Sequence, residues 1–176
     1  MNIIFLDIDG VLNSQNWFGY RLYCSKNNIY DRILNFTDIN DDYINHMLSM
    51  IDDRAVVNLN RIIEETGCKV VLSSSWRSSR KSVNDLTQYI LKIKGFKYEL
   101  YGVTPRLQRD EFGTQRGEEI QMWMDKESEK NKIESFVILD DDTDILPGQM
   151  KNFIHIDGQV GLIDKDVVTA IKILNN

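Results

Sequence analysis

A chain of 176 residues with 42% apolar and 27% charged residues has ordinary globular composition and is long enough to bury a core. Its net charge of -6 argues against non-specific attachment to nucleic acid or acidic membrane, while leaving room for a local basic patch. No apolar run approaches the ~20 residues that span a bilayer. The first residues read directly as a strand, with no signal peptide. Cys24 and Cys68 lack metal-like or redox-like spacing, so a cytoplasmic protein with reduced thiols and no membrane partner is expected.

Asn2 to Leu6 is a short apolar run bounded by turn signals and reads as a buried strand. Residues 13–50 are less regular, rich in Asn and aromatics, and read as a small cap-like insertion within a single domain spanning residues 1–176. Asp53 to Thr66 carries Val56, Leu59 and Ile63 on one helical face, with Gly67 placed to end it. "CKVVLS" predicts a second strand. Ser82 to Lys94 predicts a helix opened by a capping box of Ser82 with Asp85. It carries Leu86, Tyr89, Ile90 and Ile93 inward and is closed by Gly95.

"YELYGVTP" predicts a third strand, with Thr104 and Pro105 in the turn that ends it. Gly117 to Asp125 follows as a helix with Ile120, Trp123 and Met124 on one side. "SFVILDDD" and "NFIHI" predict strands four and five. A last helix, capped by Asp164, turns Val167, Ile171 and Leu174 inward. Near-continuous apolar strands alternating with amphipathic helices predict an α/β fold. The expected form is three-layered and Rossmann-like: five parallel strands with helices on both faces.

Ligands of such sheets bind beyond the carboxyl ends of the strands. Strand one ends in Asp7, Ile8, Asp9 and Gly10. Strand two runs out into Ser73, Ser74, Ser75, Trp76 and Arg77. Strand four ends in Asp140, Asp141, Asp142 and, after Thr143, Asp144. Arg116 opens the helix between strands three and four. Acids, a hydroxyl and a guanidinium at separate strand ends suit a phosphoryl group with a hard cation. Carboxylates take an ion such as Mg²⁺, while the hydroxyl and guanidinium hold phosphoryl oxygens.

These motifs carry a family resemblance. "DIDGVL" resembles the first motif of the haloacid dehalogenase (HAD) superfamily of phosphohydrolases. Ser73 after "VVL" resembles the second motif, "RGEEI" with Arg116 the third, and "VILDDD" the acidic fourth. "SSSWR", "RGEEI", "ILDDDTD" and a late "GLI" look most like the HAD-type domain of multidomain RNA-repair proteins.

The resemblance implies that Asp7 is the nucleophile, forming an aspartyl-phosphate, and that Asp9 is the general acid and base. It further implies that Ser73 and Arg116 hold the phosphoryl group, and that Mg²⁺ is held by Asp7, the main-chain carbonyl of Asp9, and Asp140 or Asp141. The implied activity is a phosphoric monoester hydrolase. Its phosphorylated substrate extends to nucleic-acid or nucleotide phosphate ends, because a small insertion leaves the site open. A non-catalytic metal- or phosphate-binding module with the same fold is the alternative. Nothing in the sequence points to a protein partner.

Gly10 is expected to permit the tight turn after the acids. The third-motif residue is Arg rather than the commoner Lys, which keeps the charge but changes its geometry, and Lys126, Lys130 and Lys132 compete for the role. Asp144 is a candidate to orient a metal-bound water. Ser74 and Ser75 read as turn residues that can also touch phosphate. Trp76 and Arg77 have two readings. They form a platform and a cation gripping a nucleotide, with Arg80 and Lys81 extending the basic cluster; or Trp76 packs under the following helix and Arg77 pairs with an acid. Trp17, Phe18, Tyr20 and Tyr23 read either as a lid or as the insertion's own core. His46 and His155 show no ligand spacing.

Overall fold

The computed structural model describes residues 1–27, 29, 41–77, 81–107 and 116–176. Five strands, β1 (Asn2–Leu6), β2 (Lys69–Leu72), β3 (Leu100–Val103), β4 (Ser135–Asp140) and β5 (Phe153–His155), form one sheet in the order β3-β2-β1-β4-β5. All four pairings are parallel. Strands alternate faces with a period of two. Ile4, Leu6, Val70, Leu72, Val137 and Leu139 therefore join one buried cluster, while Ile3, Phe5, Val71 and Ile138 join a second.

The larger cluster is covered by α3 (Asp53–Thr66), α4 (Lys81–Ile93) and α6 (Asp164–Leu174). The smaller one is covered by α5 (Arg116–Ser128), through Ile120, Trp123 and Met124. Helices thus lie on both faces, as the sequence pattern predicts.

The helix formed by residues 53–66 ends at Gly67, whose φ of +63° suits a residue without Cβ and closes a Gly67 N–H to Ile63 carbonyl bond of 2.8 Å. Two local expectations are corrected. Tyr89 is exposed, because the inward face of α4 is narrower than its apolar pattern; Ile90 is buried, and Leu86 and Ile93 are half-buried. Asp164 does not cap α6. It lies in the first turn and pairs with Arg61, while the Ile163 N–H donates to Asp166 Oδ2 at 3.2 Å. The Ser82 side chain, and so its capping box, lies outside the described residues.

The segment after β1 is also more regular than its sequence suggests. It contains α1 (Gln15–Lys26) and α2 (Asp42–Met50). The apolar residues of α1 are scattered round the helix, so no stripe marks it. Trp17 and Cys24 are buried, whereas Phe18, Tyr20, Leu22 and Tyr23 are exposed. The Trp17 indole donates to the Ser49 carbonyl at 3.0 Å, fixing α1 on α2. Cys24 and Cys68 are buried free thiols. Among the described residues, no helix is long and apolar enough to cross a membrane.

Candidate active site

Sheet register builds the site. Leu6 pairs with Leu72 on one side and Leu139 on the other. One step further, the Asp7 N–H donates to the Leu139 carbonyl at 3.0 Å and the Ser73 N–H to the Leu6 carbonyl at 2.8 Å. Ser73, Asp7 and Asp140 are therefore brought to one level at the strand ends. This level lies where the order of strand addition switches sides: β2 and β3 fall to one side of β1, β4 and β5 to the other. That is the crevice where open parallel sheets bind ligands.

Beyond Asp7 the chain turns sharply. Val11, Leu12 and Asn13 all direct their N–H groups at the Ile8 carbonyl. Gly10 adopts φ +73°, and a Cβ there would run into the Asp141 carboxylate. Gly158 faces the same carboxylate from the opposite side, its hypothetical Cβ meeting Asp141 Oδ2 at 2.6 Å. Both glycines make room for Asp141. The expected role of Gly10 in the turn agrees with this geometry, and its close approach to Asp141 is an addition.

Asp7, Asp140 and Asp141 each present a carboxylate oxygen, all within 4.8 Å of one another. Asp7 and Asp140 are 4% and 1% exposed, and among the described residues their Oδ1 and Oδ2 atoms, respectively, find no hydrogen-bond donor. Burial pushes the Asp7 carboxyl up to about 6, with Arg116 opposing and Asp9 assisting. Burial, then the neighbouring Asp7, pushes Asp140 up to about 7. Buried anionic oxygens without donors are costly, and a hard cation satisfies several at once. The residues present thus fit a metal ion on three carboxylates. Asp142 is exposed and outside the cluster.

Arg116 faces these acids. Its guanidinium lies 3.6 Å from Asp7 Oδ1 and 3.6 Å from Asp140 Oδ2, and Nη1 donates to the Ser73 carbonyl. Lys126, Lys130 and Lys132 are exposed on or beyond the far end of α5, so among the described residues Arg116 is the basic residue that reaches the cluster. Two contacts aim it. Asp144 Oδ2 accepts from the Arg116 N–H at 3.0 Å, capping α5, and a Cβ on Gly117 would strike the Leu146 backbone nitrogen. Asp144, expected to orient water, is spent in part on this cap.

The serine loop differs from expectation in how it is used. Ser73 is buried beside Thr104, with hydroxyls 3.5 Å apart. Ser74 is buried too, and its Oγ accepts from the Ile8 N–H at 3.3 Å, under the Asp7 turn. Ser75 Oγ donates to Asp9 Oδ2 at 2.8 Å, and the Trp76 indole donates to Asp9 Oδ1 at 3.0 Å. Asn13 Nδ2 adds a third donor to Asp9 Oδ1 at 3.0 Å, while its Oδ1 accepts from the Gly10 N–H at 2.9 Å.

Asp9 is thus clamped by three side chains that sequence reasoning did not link to it. The one legible signal was an Asn three residues after the turn glycine. Trp76 also packs against the core, so its ring is not a free platform. Arg77 does not reach the site mouth. It is buried and paired with the buried Glu119, because its guanidinium points beneath the loop. Arg80 and the Lys81 side chain lie outside the described residues. His155, given no role, has its Nε2 2.9 Å from the Asp141 carbonyl and steadies that loop.

Comparison with known proteins decides the relationship. The family model described as the HAD domain in Swiss Army Knife RNA repair proteins matches residues 3–167. The chain belongs to this family. It is a HAD-type hydrolase domain, with the acidic cluster of Asp7, Asp140 and Asp141 at the strand ends where the HAD-like motifs fall. No curated protein and no solved structure matches it.

Proposed function

We propose that this HAD domain is a Mg²⁺-dependent phosphatase that hydrolyses phosphomonoesters through an aspartyl-phosphate on Asp7. The observation that carries the reading is the level shared by Asp7, Asp140 and the Arg116 guanidinium, 3.6 Å from each carboxylate. Asp7, Asp140 and Asp141, with the main-chain carbonyl of Asp9, would hold the ion. When bound, the ion supplies positive charge that lets a carboxylate approach a phosphate dianion.

Asp7 forms the bond to phosphorus as the ester P–O bond breaks, and Asp9 gives its proton to the departing oxygen. Asp9 then takes a proton from water, whose oxygen attacks phosphorus and frees Asp7, releasing inorganic phosphate. Arg116 offsets charge on the phosphoryl oxygens throughout. The Ser73 and Ser74 loop supports the nucleophile from below.

The substrate in this reading is a phosphate at a nucleic-acid or nucleotide end, supported by the family's description and by an insertion whose described parts are two short helices. A cytoplasmic setting suits its free thiols. The test is release of inorganic phosphate from a panel that includes 3′- and 5′-phosphorylated oligonucleotides, in Mg²⁺ and in EDTA. Hydrolysis in Mg²⁺ that stops in EDTA supports the reading. Equal release in both, or none from any phosphomonoester, would sink it.

A further inference from the structure

A cavity of about 460 Å³ opens beside the acidic cluster. Asp9, Gly10 and Asp141 line one side, and Gln15, Phe18 and Arg21 of α1 line the other. Three features of the α1 side are unusual together. The Phe18 ring is 51% exposed, although Trp17 next to it is buried. The Arg21 guanidinium lies 5.9 Å from the Phe18 ring centroid and donates to Ser49 Oγ at 2.7 Å. Among the described residues no carboxylate is within ion-pair reach of Arg21, and burial pushes it below its ordinary value.

Gln15 and Gln159, which also lines the cavity, have no side-chain hydrogen-bond partner among the described residues. The α1 end of the cavity is held in place. The Gln15 and Asn16 N–H groups donate to the Gly158 and Gln159 carbonyls at 3.0 Å each, tying α1 to the loop that packs on Asp141.

An exposed aromatic face, a cation with no counter-charge among the described residues and two exposed amide side chains have different chemical complements. The ring takes a flat π-system, the guanidinium an anion, and the amides the hydrogen-bonding edge of a heterocycle. From this we infer that the leaving-group side of the site is a seat for one terminal nucleotide. Its base lies against Phe18, and its next backbone phosphate lies at Arg21. The inference rests on the phosphatase reading and deepens it. The exposed ring beside the acids is on α1, whereas Trp76 is occupied by Asp9. A phosphotyrosine fits less well, because its ring is bonded directly to the scissile phosphate and leaves Arg21 without an anion.

The seat is tested by equilibrium binding to Asp7→Asn protein in Mg²⁺, which removes turnover from the measurement. Adenosine 5′-monophosphate should bind about tenfold more tightly than ribose 5-phosphate, the range expected of one base stacked on an aromatic ring, and adenosine 3′,5′-bisphosphate more tightly still. In the same background Phe18→Leu should erase the difference between adenosine 5′-monophosphate and ribose 5-phosphate, and Phe18→Trp should keep it. Arg21→Gln should lower the bisphosphate to the affinity of adenosine 5′-monophosphate. Equal binding of bisphosphate, ribose 5-phosphate and phosphotyrosine by the parent would overturn the seat, even if a variant failed to fold. So would a Phe18→Leu protein that melts and binds like its parent.

Wild-type hydrolysis of phenyl phosphate separates the two ideas. If phenyl phosphate is hydrolysed while the binding order collapses, the seat is wrong and the phosphatase stands. If the binding order holds while no ester is cleaved, the seat stands and the chemistry is wrong.

Discussion

The indole Nε1 of Trp76 donates to Asp9 Oδ1 at 3.0 Å, across 67 residues of sequence. With Ser75 on Oδ2 and Asn13 on Oδ1, it fixes the rotamer of the proposed acid and base beside Asp7. A proton can be passed to a leaving oxygen only over hydrogen-bond distance, so the orientation of Asp9 matters as much as its presence.

Trp76→Phe keeps the ring in its half-buried place and removes the N–H. A hydrogen bond to a charged group contributes about 1.5–3 kcal/mol, so kcat/KM should fall roughly tenfold or more. The loss should be similar for a phosphorylated oligonucleotide and for a small alkyl phosphate. Steady-state kinetics on both checks this. A loss confined to the oligonucleotide would make Trp76 a stacking surface and not a positioning residue.

Asp7→Asn should abolish phosphate release, because the amide is no nucleophile at phosphorus. It should also leave the metal-free protein at least as stable as wild type. Asp7 Oδ1 is buried with no hydrogen-bond donor among the described residues, and the substitution removes that desolvated charge. Turnover near wild type would take Asp7 out of the mechanism; a large drop in melting temperature would mean that its charge supports the fold. Asp9→Asn should instead allow phosphorylation of Asp7 by an activated ester and slow the water step, visible as a burst of leaving group in pre-steady-state kinetics.

Arg77 and Glu119 form a buried pair, with side chains 5% and 8% exposed, that ties the serine loop to α5. Removing one partner strands a buried charge. Arg77→Met and Glu119→Gln should each cost about 3–5 kcal/mol, and Arg77→Met with Glu119→Leu should recover much of it. Urea denaturation of the three variants measures this. Single losses below about 1 kcal/mol would show the pair to be solvated, like an ordinary surface bridge.

Metal-free protein should lose stability as pH rises through the weakly acid range. Asp7 and Asp140 are pushed up to about 6 and about 7, whereas unfolded carboxyls titrate near ~4. The folded state therefore holds protons that the unfolded chain has released. Stability from this source is full below about 4 and is lost as pH climbs through about 7. A bound cation reverses the preference, because its ligands must be deprotonated. The rise in melting temperature caused by Mg²⁺ should accordingly grow from pH 5 to pH 8. A shift that is absent, or the same at both pH values, would argue against a cation on these carboxylates.

What the sequence determined by itself follows from short-range chemistry. Apolar runs of strand length, helices with one apolar stripe, and Gly67 at a helix end are written in neighbouring residues, and the sheet and its helices formed where those patterns predict. Asp7 and Asp140 were legible for the same reason: a carboxylate where a buried strand runs out is visible without knowing its neighbours. α1 was not legible, because its aromatics are spread round the helix and only contact with Ser49 gives them direction.

The tertiary structure alone decided how each site residue is used. Arg77 and Glu119 meet over 42 residues, and the same loop sends Arg77 inward and the Trp76 indole to Asp9. Both have the composition of a surface grip for phosphate. The hydrogen bonds that assign them elsewhere depend on how a loop from β2 packs against α5 and the Asp9 turn. That relation is set by sheet register and burial, which no local pattern of residues records.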